Sequence, residues 1–151
     1  MNELTYRLLA AVSDDLGDDL YGWHTGIAYR THESEDQVEG RVLGYVRQLL
    51  TADLIGLGSI EADEQGHGVW TDWRGSVDGL LSRAAARYGR SDTVWNLYAT
   101  STGRGRRMFD SEAARREAAG VDPWEHGGQV FRDIWDADGN VIEPHGDEIV
   151  V

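Results

Sequence analysis

The stretch from Ser34 to Gly58 constrains the fold more than any other part of this sequence. Its apolar residues recur at helical spacing, which places them on one stripe of an α-helix: Val38, Val42, Tyr45, Val46, Leu49 and Leu50. Ser34 is positioned to cap the helix, and Gln37 is positioned to complete a capping box with it. Burying six such side chains stabilises a protein by roughly 9–18 kcal/mol. We therefore expect this stretch to form a helix of the hydrophobic core.

Length and composition favour a soluble protein with one hydrophobic core. A chain of 151 residues buries about two-thirds of its extended surface on folding. The chain has no cysteine, which excludes disulfides and thiolate metal sites. Its apolar runs are too short to span a bilayer, and Met1 begins no signal-peptide pattern. We therefore expect a cytoplasmic protein with no membrane partner.

The charge of the chain is strongly negative and unevenly distributed. The formal net charge is -13, and all 14 basic residues are arginines. Residues 1–72 hold 4 Arg against 14 Asp and Glu, residues 73–116 hold 9 against 4, and residues 117–151 hold 1 against 9. The arginines of the basic middle segment either pair with the acidic flanks within the fold or form one cationic face for a polyanion.

The order of the expected elements indicates an α+β fold. Apolar residues at every fourth position predict a first helix over Leu4–Gly17, and a short second helix follows over Leu20–Ile27. After the helix of the opening stretch we expect a strand at Leu54–Ala62, a polar loop at Asp63–Gly68 and a returning strand at Val69–Trp73. Three helices followed by a β-hairpin is the order of a winged helix-turn-helix domain.

The remainder of the chain is expected to add a helix, a strand, a basic turn and a C-terminal hairpin. An additional helix is predicted within Ser76–Gly89. A strand at Thr93–Thr100, the turn TSTGRGRR and a short alanine-rich helix at Ser111–Ala119 follow. Apolar residues on both sides of DADGN predict a hairpin. We therefore divide the chain into a winged-helix-like domain, residues 1–120, and an acidic C-terminal hairpin or tail, residues 121–151.

Two phrases of the sequence resemble winged helix-turn-helix regulators of the PadR and MarR type. The first is Leu20–Gly22 followed by RVLGYVRQLLTADLIGLG, in which Asp53 stands where that family usually has glycine. The second, Leu97–Arg104, is similar to the family's strand-ending L-T-x-x-G-R. The resemblance implies sequence-specific binding of duplex DNA, with the third helix in the major groove and the wing against the backbone. It also implies a homodimer, for which the helix Ser76–Gly89 or the tail supplies the contact.

Eight residues are candidates for the DNA contacts. On the outer face of the third helix, arginine and glutamine suit guanine and adenine edges; these candidates are Gln37, Arg41, Gly44 and Gln48. His67 is the candidate in the wing. In the turn TSTGRGRR, glycines let the backbone approach a phosphate and arginines bind it; these candidates are Arg104, Arg106 and Arg107. The alternative for this turn is that its arginines pair with the acidic tail.

Catalysis and metal binding find no support in the sequence. The histidines have no metal-ligand spacing: His24, His32, His67, His126 and His145. There is no nucleophile elbow, phosphate-binding P-loop or dinucleotide fingerprint. The six tryptophans are expected in the core. We therefore expect a protein that is not an enzyme and that has no cofactor.

Two functions compete. One is a transcriptional regulator that binds double-stranded DNA. The other is an acidic winged-helix-like module that binds a protein partner instead, such as an accessory factor or a phage-type inhibitor. The start of the third helix separates them, because four acids cluster where a reader of DNA meets phosphates: Glu33, Glu35, Asp36 and Glu39. Acids near a helix N-terminus stabilise it by up to about 1 kcal/mol each, but they also repel DNA.

Overall fold

The computed structural model of the chain describes residues 1–13, 17–88, 96–125, 130–131 and 133–143. These residues form five helices and two antiparallel sheets. The helices are α1 (Glu3–Val12), α2 (Leu20–Thr31), α3 (Glu35–Thr51), α4 (Val77–Arg87) and α5 (Gly103–Ala118). The strands are β1 (Asp18–Asp19), β2 (Ile55–Ala62), β3 (Gly68–Asp72), β4 (Tyr98–Ser101), β5 (Ile134–Trp135) and β6 (Val141–Glu143). The expected α+β class is confirmed.

The helix α3 forms as its sequence pattern predicts. Ser34 Oγ accepts the N–H of Gln37 at 3.3 Å, and Gln37 Oε1 accepts the N–H of Ser34 at 3.0 Å. This completes the capping box. Tyr45 is half-buried, and the other five apolar residues of the stripe are buried: Val38, Val42, Val46, Leu49 and Leu50. They join residues of the other helices and of the sheet in one core.

The larger sheet has the strand order β1-β4-β2-β3, and every neighbouring pair is antiparallel. The predicted hairpin is present as β2 and β3, with Ile60 opposite Trp70. Its turn closes through the N–H of Asp63, which donates to the carbonyl of His67 at 2.8 Å, and Gly66 has a φ of 81° there. On the other side of β2 lies β4, so β3 is an edge strand among the described residues.

The basic sequence TSTGRGRR is not a turn, because α5 begins within it at Gly103. Thr102 is the N-cap: its Oγ1 accepts the N–H of Gly105 at 3.0 Å and donates to the carbonyl of Asp53 at 2.6 Å. Gly105 lies against the carbonyl oxygen of Leu54, where a β-carbon would collide with it. The predicted turn is therefore wrong, and the short helix expected after it is the C-terminal half of α5.

Other expected elements differ at their boundaries. The helix α1 ends at Val12, before the expected end at Gly17, and residues 14–16 lie outside the described residues. The strand predicted from residue 93 begins only at Tyr98, and residues 93–95 also lie outside the described ranges. Asn96 explains the late start, because its φ of 49° interrupts an extended backbone. Its side-chain oxygen accepts the N–H of Ile60 at 2.7 Å instead.

The C-terminal hairpin packs on α1 and α2. The strands β5 and β6 flank the predicted turn Asp136–Asn140, so the hairpin is confirmed. Arg7 Nη1 donates to Asp133 Oδ2 at 2.7 Å in a buried ion pair. The ring of Phe131 stacks on Trp23 with 4.9 Å between centroids. These contacts join the hairpin region to the main core, while the division of the chain at residue 120 stays a prediction.

Candidate functional site

Three of the four residues expected to read DNA from α3 use their side chains within the protein. Gln37 is held in the capping box. Arg41 forms a two-pronged ion pair with Glu33, with 2.6 Å from both Nε and Nη2 to the carboxylate oxygens. Gln48 Nε2 donates to Thr5 Oγ1 of α1 at 3.2 Å. A base edge would have to displace these bonds before it could be read.

Gly44, the fourth of these residues, lies in an open groove of about 530 Å³ between α3 and α4. The groove is lined from both helices, among others by Leu43 of α3 and by Leu81 and Ala85 of α4. The helix α4 therefore flanks the predicted DNA-reading stripe at Gly44.

The acidic turn at the start of α3 lies over a buried histidine. His24 is 5 % exposed, its Nε2 is 2.8 Å from Glu35 Oε2, and its Nδ1 is 2.5 Å from the hydroxyl of Tyr88. Burial, followed by the charges of Glu39 and Glu35, raises the pKa of Tyr88 far above its ordinary value. The hydroxyl of Tyr88 therefore stays protonated at neutral pH, in contact with the ring of His24. This chain of contacts joins α2, α3 and α4.

Several arginines of the basic segment are paired within the fold. Arg87 pairs with Glu61 at 3.1 Å, Arg115 with Glu112 at 2.6 Å, and Arg116 with Glu3 at 2.5 Å. The guanidinium of Arg83 lies 4.1 Å from the ring centre of Trp73. Arg87 and Arg116 therefore pair with the N-terminal acidic flank, whereas the partners of Arg83 and Arg115 lie within the basic segment itself.

The N-terminal turn of α5 differs from the rest of the basic segment. Arg104 and Arg107 are exposed and form no ion pair with any residue that the structure describes. Arg106, which lies between them in the sequence, is half-buried. All three stand at the positive end of the helix dipole, where a cation costs about 0.3–1 kcal/mol. Exposed guanidinium groups beside free helix N–H groups are suited to holding an anion.

The β2–β3 hairpin carries an exposed apolar surface. Ile60 is 44 % exposed and Trp70 is 38 % exposed, and both point away from the core because strand side chains alternate. The ring of Tyr98 on β4 lies edge-to-face with Trp70, 5.9 Å between centroids. The indole of Trp70 lies directly over Gly58, where a side chain would collide with it. We call Ile60, Trp70 and Tyr98 the hairpin patch.

Carboxylates lie beside the hairpin patch and at the tip of the hairpin. Asp72 accepts the indole N–H of Trp70 at 2.8 Å. At the tip of the hairpin, Asp63 Oδ2 lies 3.6 Å from Nδ1 of His67, and Glu64 is exposed beside them. His67, the expected DNA contact of the wing, therefore stands among acids, which repel a phosphate backbone.

Sequence reasoning missed the hairpin patch because it assigned every tryptophan to the core. Trp23 and Trp73 are buried, but Trp70 and Trp124 are 38 % and 54 % exposed. The strand period of two was the available signal. It places Trp70 and Trp73 on opposite faces of the predicted strand Val69–Trp73, so that only one of them can face the core.

Comparisons with known proteins add no relative. No family model, no curated protein and no solved structure matches this chain. Within the described ranges, none of the helices has the length and apolar character needed to cross a bilayer. No group of three histidines or acids in the same ranges is arranged to hold a metal ion. A functional proposal therefore rests on the surfaces of the chain itself.

Proposed function

We propose that this chain is an acidic, winged-helix-like protein-interaction module that acts in the cytoplasm and docks on a partner protein through the hairpin patch. The element order supports the winged-helix part, because α1, α2 and α3 precede the β2–β3 hairpin. Asp53 adds support: it stands where the PadR and MarR type usually has glycine, and its φ of 56° lies in the region that favours glycine.

The observation that carries the proposal is an exposed aromatic surface with an acidic rim. Exposed apolar surface of this kind, rimmed by polar groups, marks protein interfaces, in which aromatic residues supply much of the binding energy. Trp70 is fixed by its contacts with Gly58 and Asp72, so that little side-chain entropy is lost when a partner covers it. The acids around the patch favour a partner with a basic surface.

The proposal is tested by a cross-link formed in the cells that make the protein. A photoreactive phenylalanine analogue replaces Ile60 in the patch, and a matched control variant carries it at Ala114, which is exposed on α5. We expect one discrete protein adduct from position 60, and a severalfold lower yield when Trp70→Ala is added, because an aromatic contact is lost.

Two results contradict docking through the patch. One is the same set of adducts from positions 60 and 114. The other is a position-60 adduct whose yield does not change with Trp70→Ala, since the patch would then make no energetic contribution. Near-ultraviolet circular dichroism of the Trp70→Ala variant checks that the fold is retained.

A second candidate function, a transcriptional regulator that binds double-stranded DNA, is supported by the N-terminal turn of α5. Arg104 and Arg107 are exposed there without an ion pair to the described residues. If this turn holds phosphates, affinity for mixed-sequence duplex should fall linearly on a logarithmic scale with salt concentration.

The DNA candidate is tested by equilibrium binding to that duplex at low and moderate salt. The double variant Arg104→Glu/Arg107→Glu should lose binding and salt dependence together. The control Arg74→Glu/Arg115→Glu changes the net charge equally but leaves α5's first turn intact, and it should keep most of the affinity. A folded wild-type protein without binding at any salt concentration removes this candidate.

A further inference from the structure

We propose that the edge of β3 pairs with β3 of a second copy of this chain, forming a symmetric antiparallel homodimer. The 4-stranded sheets of the two copies would join into one continuous sheet. This inference goes beyond the proposed function, because it concerns the backbone edge of β3, whereas the partner protein docks on the side chains of the hairpin patch.

The outer edge of β3 presents backbone groups that are ready to pair. The N–H of Trp73 bonds to the carbonyl of Leu57 on β2 at 2.9 Å. Because successive residues of a strand direct their N–H and C=O groups to opposite sides, the backbone groups of the even-numbered residues of β3 point away from β2. These residues are Gly68, Trp70 and Asp72. No hydrogen bond joins their outward N–H and C=O groups to any part of the chain that the structure describes.

The edge has little of the usual protection against pairing. Soluble proteins guard edge strands with charged side chains, proline, a bulge or a covering segment. The strand GVWTD contains one charged residue, Asp72, and no proline, its register with β2 runs without a shift, and no described segment pairs with its outer edge. Val69 is 48 % exposed beside it. A strand of this kind is a template for another strand.

The residues of β3 are complementary to themselves in antiparallel orientation. With Trp70 opposite Trp70 of the second copy, Val69 faces Thr71, and Gly68 faces Asp72. The β-branched pair of Val69 and Thr71 is favourable across strands. No like charges meet, and the carboxylate of Asp72 has room because Gly68 has no side chain. Every outward N–H then finds a carbonyl on the other copy.

Charge complementarity identifies a second copy as the occupant. In this register Arg74, exposed just beyond β3, comes level with the hairpin turn of the other copy, which carries Asp63 and Glu64. The two-fold axis repeats the contact, so that Arg74 of each copy lies beside the acidic hairpin turn of the other. These contacts oppose the general repulsion between two chains that each carry a net charge of -13.

The sharpest test is Asp72→Pro against Asp72→Asn, measured by sedimentation velocity on the full chain. Both variants lose the carboxylate that bonds to Trp70, but only proline removes the outward N–H and places a ring on the edge. We expect the wild type and Asp72→Asn to shift towards twice the mass of one chain as concentration rises. Asp72→Pro should raise the dissociation constant about tenfold or more.

A second pair of variants separates pairing from misfolding. Trp70→Lys and Trp70→Glu each place like charges opposite one another in the homodimer, so each alone should be monomeric. Mixing them should restore a dimer, because opposite charges then meet across the axis. The control variants Ala85→Lys on α4 and Ile142→Lys on β6 should leave the dimer intact.

Four results overturn the proposal: a wild-type protein that is monomeric throughout the micromolar range, an Asp72→Pro dimer as tight as that of Asp72→Asn, no dimer in the mixture of folded Trp70 variants, or loss of the dimer in a folded control variant. Sedimentation uses this chain alone, so the result is independent of the partner protein. A monomer that keeps its position-60 adduct rejects only the homodimer. A dimer without a second protein in the adduct rejects only the docking function.

Discussion

Two glycines in helices, Gly105 and Gly44, are expected to respond oppositely to alanine. A β-carbon at Gly105 would collide with the carbonyl oxygen of Leu54, whereas a β-carbon at Gly44 meets no atom within 4 Å. Gly105→Ala should therefore lower the free energy of unfolding by about 1–3 kcal/mol. Gly44→Ala should raise it by about 0.5–1 kcal/mol, because glycine is a poor helix former. Urea unfolding of the two variants measures both changes, and equal changes would contradict this account.

Single residues were predictable where their role depends on near neighbours in the sequence. The exchange between Ser34 and Gln37 spans one helical turn, and the sequence predicts it correctly. The hydrogen bond of Gln48 could not be predicted in this way. It bonds to Thr5, 43 positions away, and no local pattern indicates that contact. The sequence therefore showed that these residues share the outer face of α3, but it did not show that their side chains bond to other parts of the protein.

At the scale of elements, the start of α5 depends on one side chain, that of Thr102. Its Oγ1 accepts one hydrogen bond from the helix and donates another to the loop before β2. Thr102→Ala removes both and should lower the free energy of unfolding by about 1–2 kcal/mol. Thr102→Ser keeps the hydroxyl and should stay close to the wild type. Guanidinium unfolding checks this, and two variants of equal stability would show that the hydroxyl does not hold the helix.

The contrast between α3 and α5 shows which elements the sequence can predict. The stripe of α3 is continuous, whereas α5 begins with Gly103 and Gly105, which are typical of turns. Gly105 is a glycine because Leu54 approaches it, and that approach belongs to the tertiary structure. A cue was nevertheless present, since Thr102 is a good N-cap residue.

At the scale of the whole molecule, acid should weaken the ion pairs of Glu112 within α5, one of which holds Arg116, the partner of Glu3 on α1. Hydrogen bonds from Arg115 and then Arg116 lower the pKa of Glu112 from 4.5 to about 2. A carboxyl whose folded pKa is depressed stabilises the fold above its unfolded pKa and loses that effect as the pH falls through the folded value. The difference in unfolding free energy between wild type and Glu112→Gln should therefore shrink as the pH falls from 4.5 to about 2.

The control for the acid prediction is Glu117→Gln on the same helix, where Glu117 is exposed. Its difference from the wild type should be small, because exposed carboxylates without a fixed partner contribute little. Chemical denaturation at a series of pH values gives both curves. A Glu112→Gln difference that is constant down to pH 2 would exclude the proposed role of its ion pairs.

The global arrangement was predictable only as a class. Helical and strand periods gave the α+β composition and the β2–β3 hairpin. They could not place β4 between β1 and β2, since strand order depends on contacts between residues far apart in the chain. The periods also could not show which arginines form ion pairs within the fold. Arg116, for example, contacts Glu3 only because α5 packs on α1.

The contacts between α1 and the C-terminal hairpin have a consequence for biosynthesis. The N–H of Leu4 bonds to the carbonyl of Gly139 at 3.3 Å, and Arg7 pairs with Asp133. A ribosome makes α1 more than a hundred residues before it makes these partners. The first helix therefore leaves the exit tunnel without the segment that completes its packing, and the nascent chain reaches its final fold only after residue 139 has emerged.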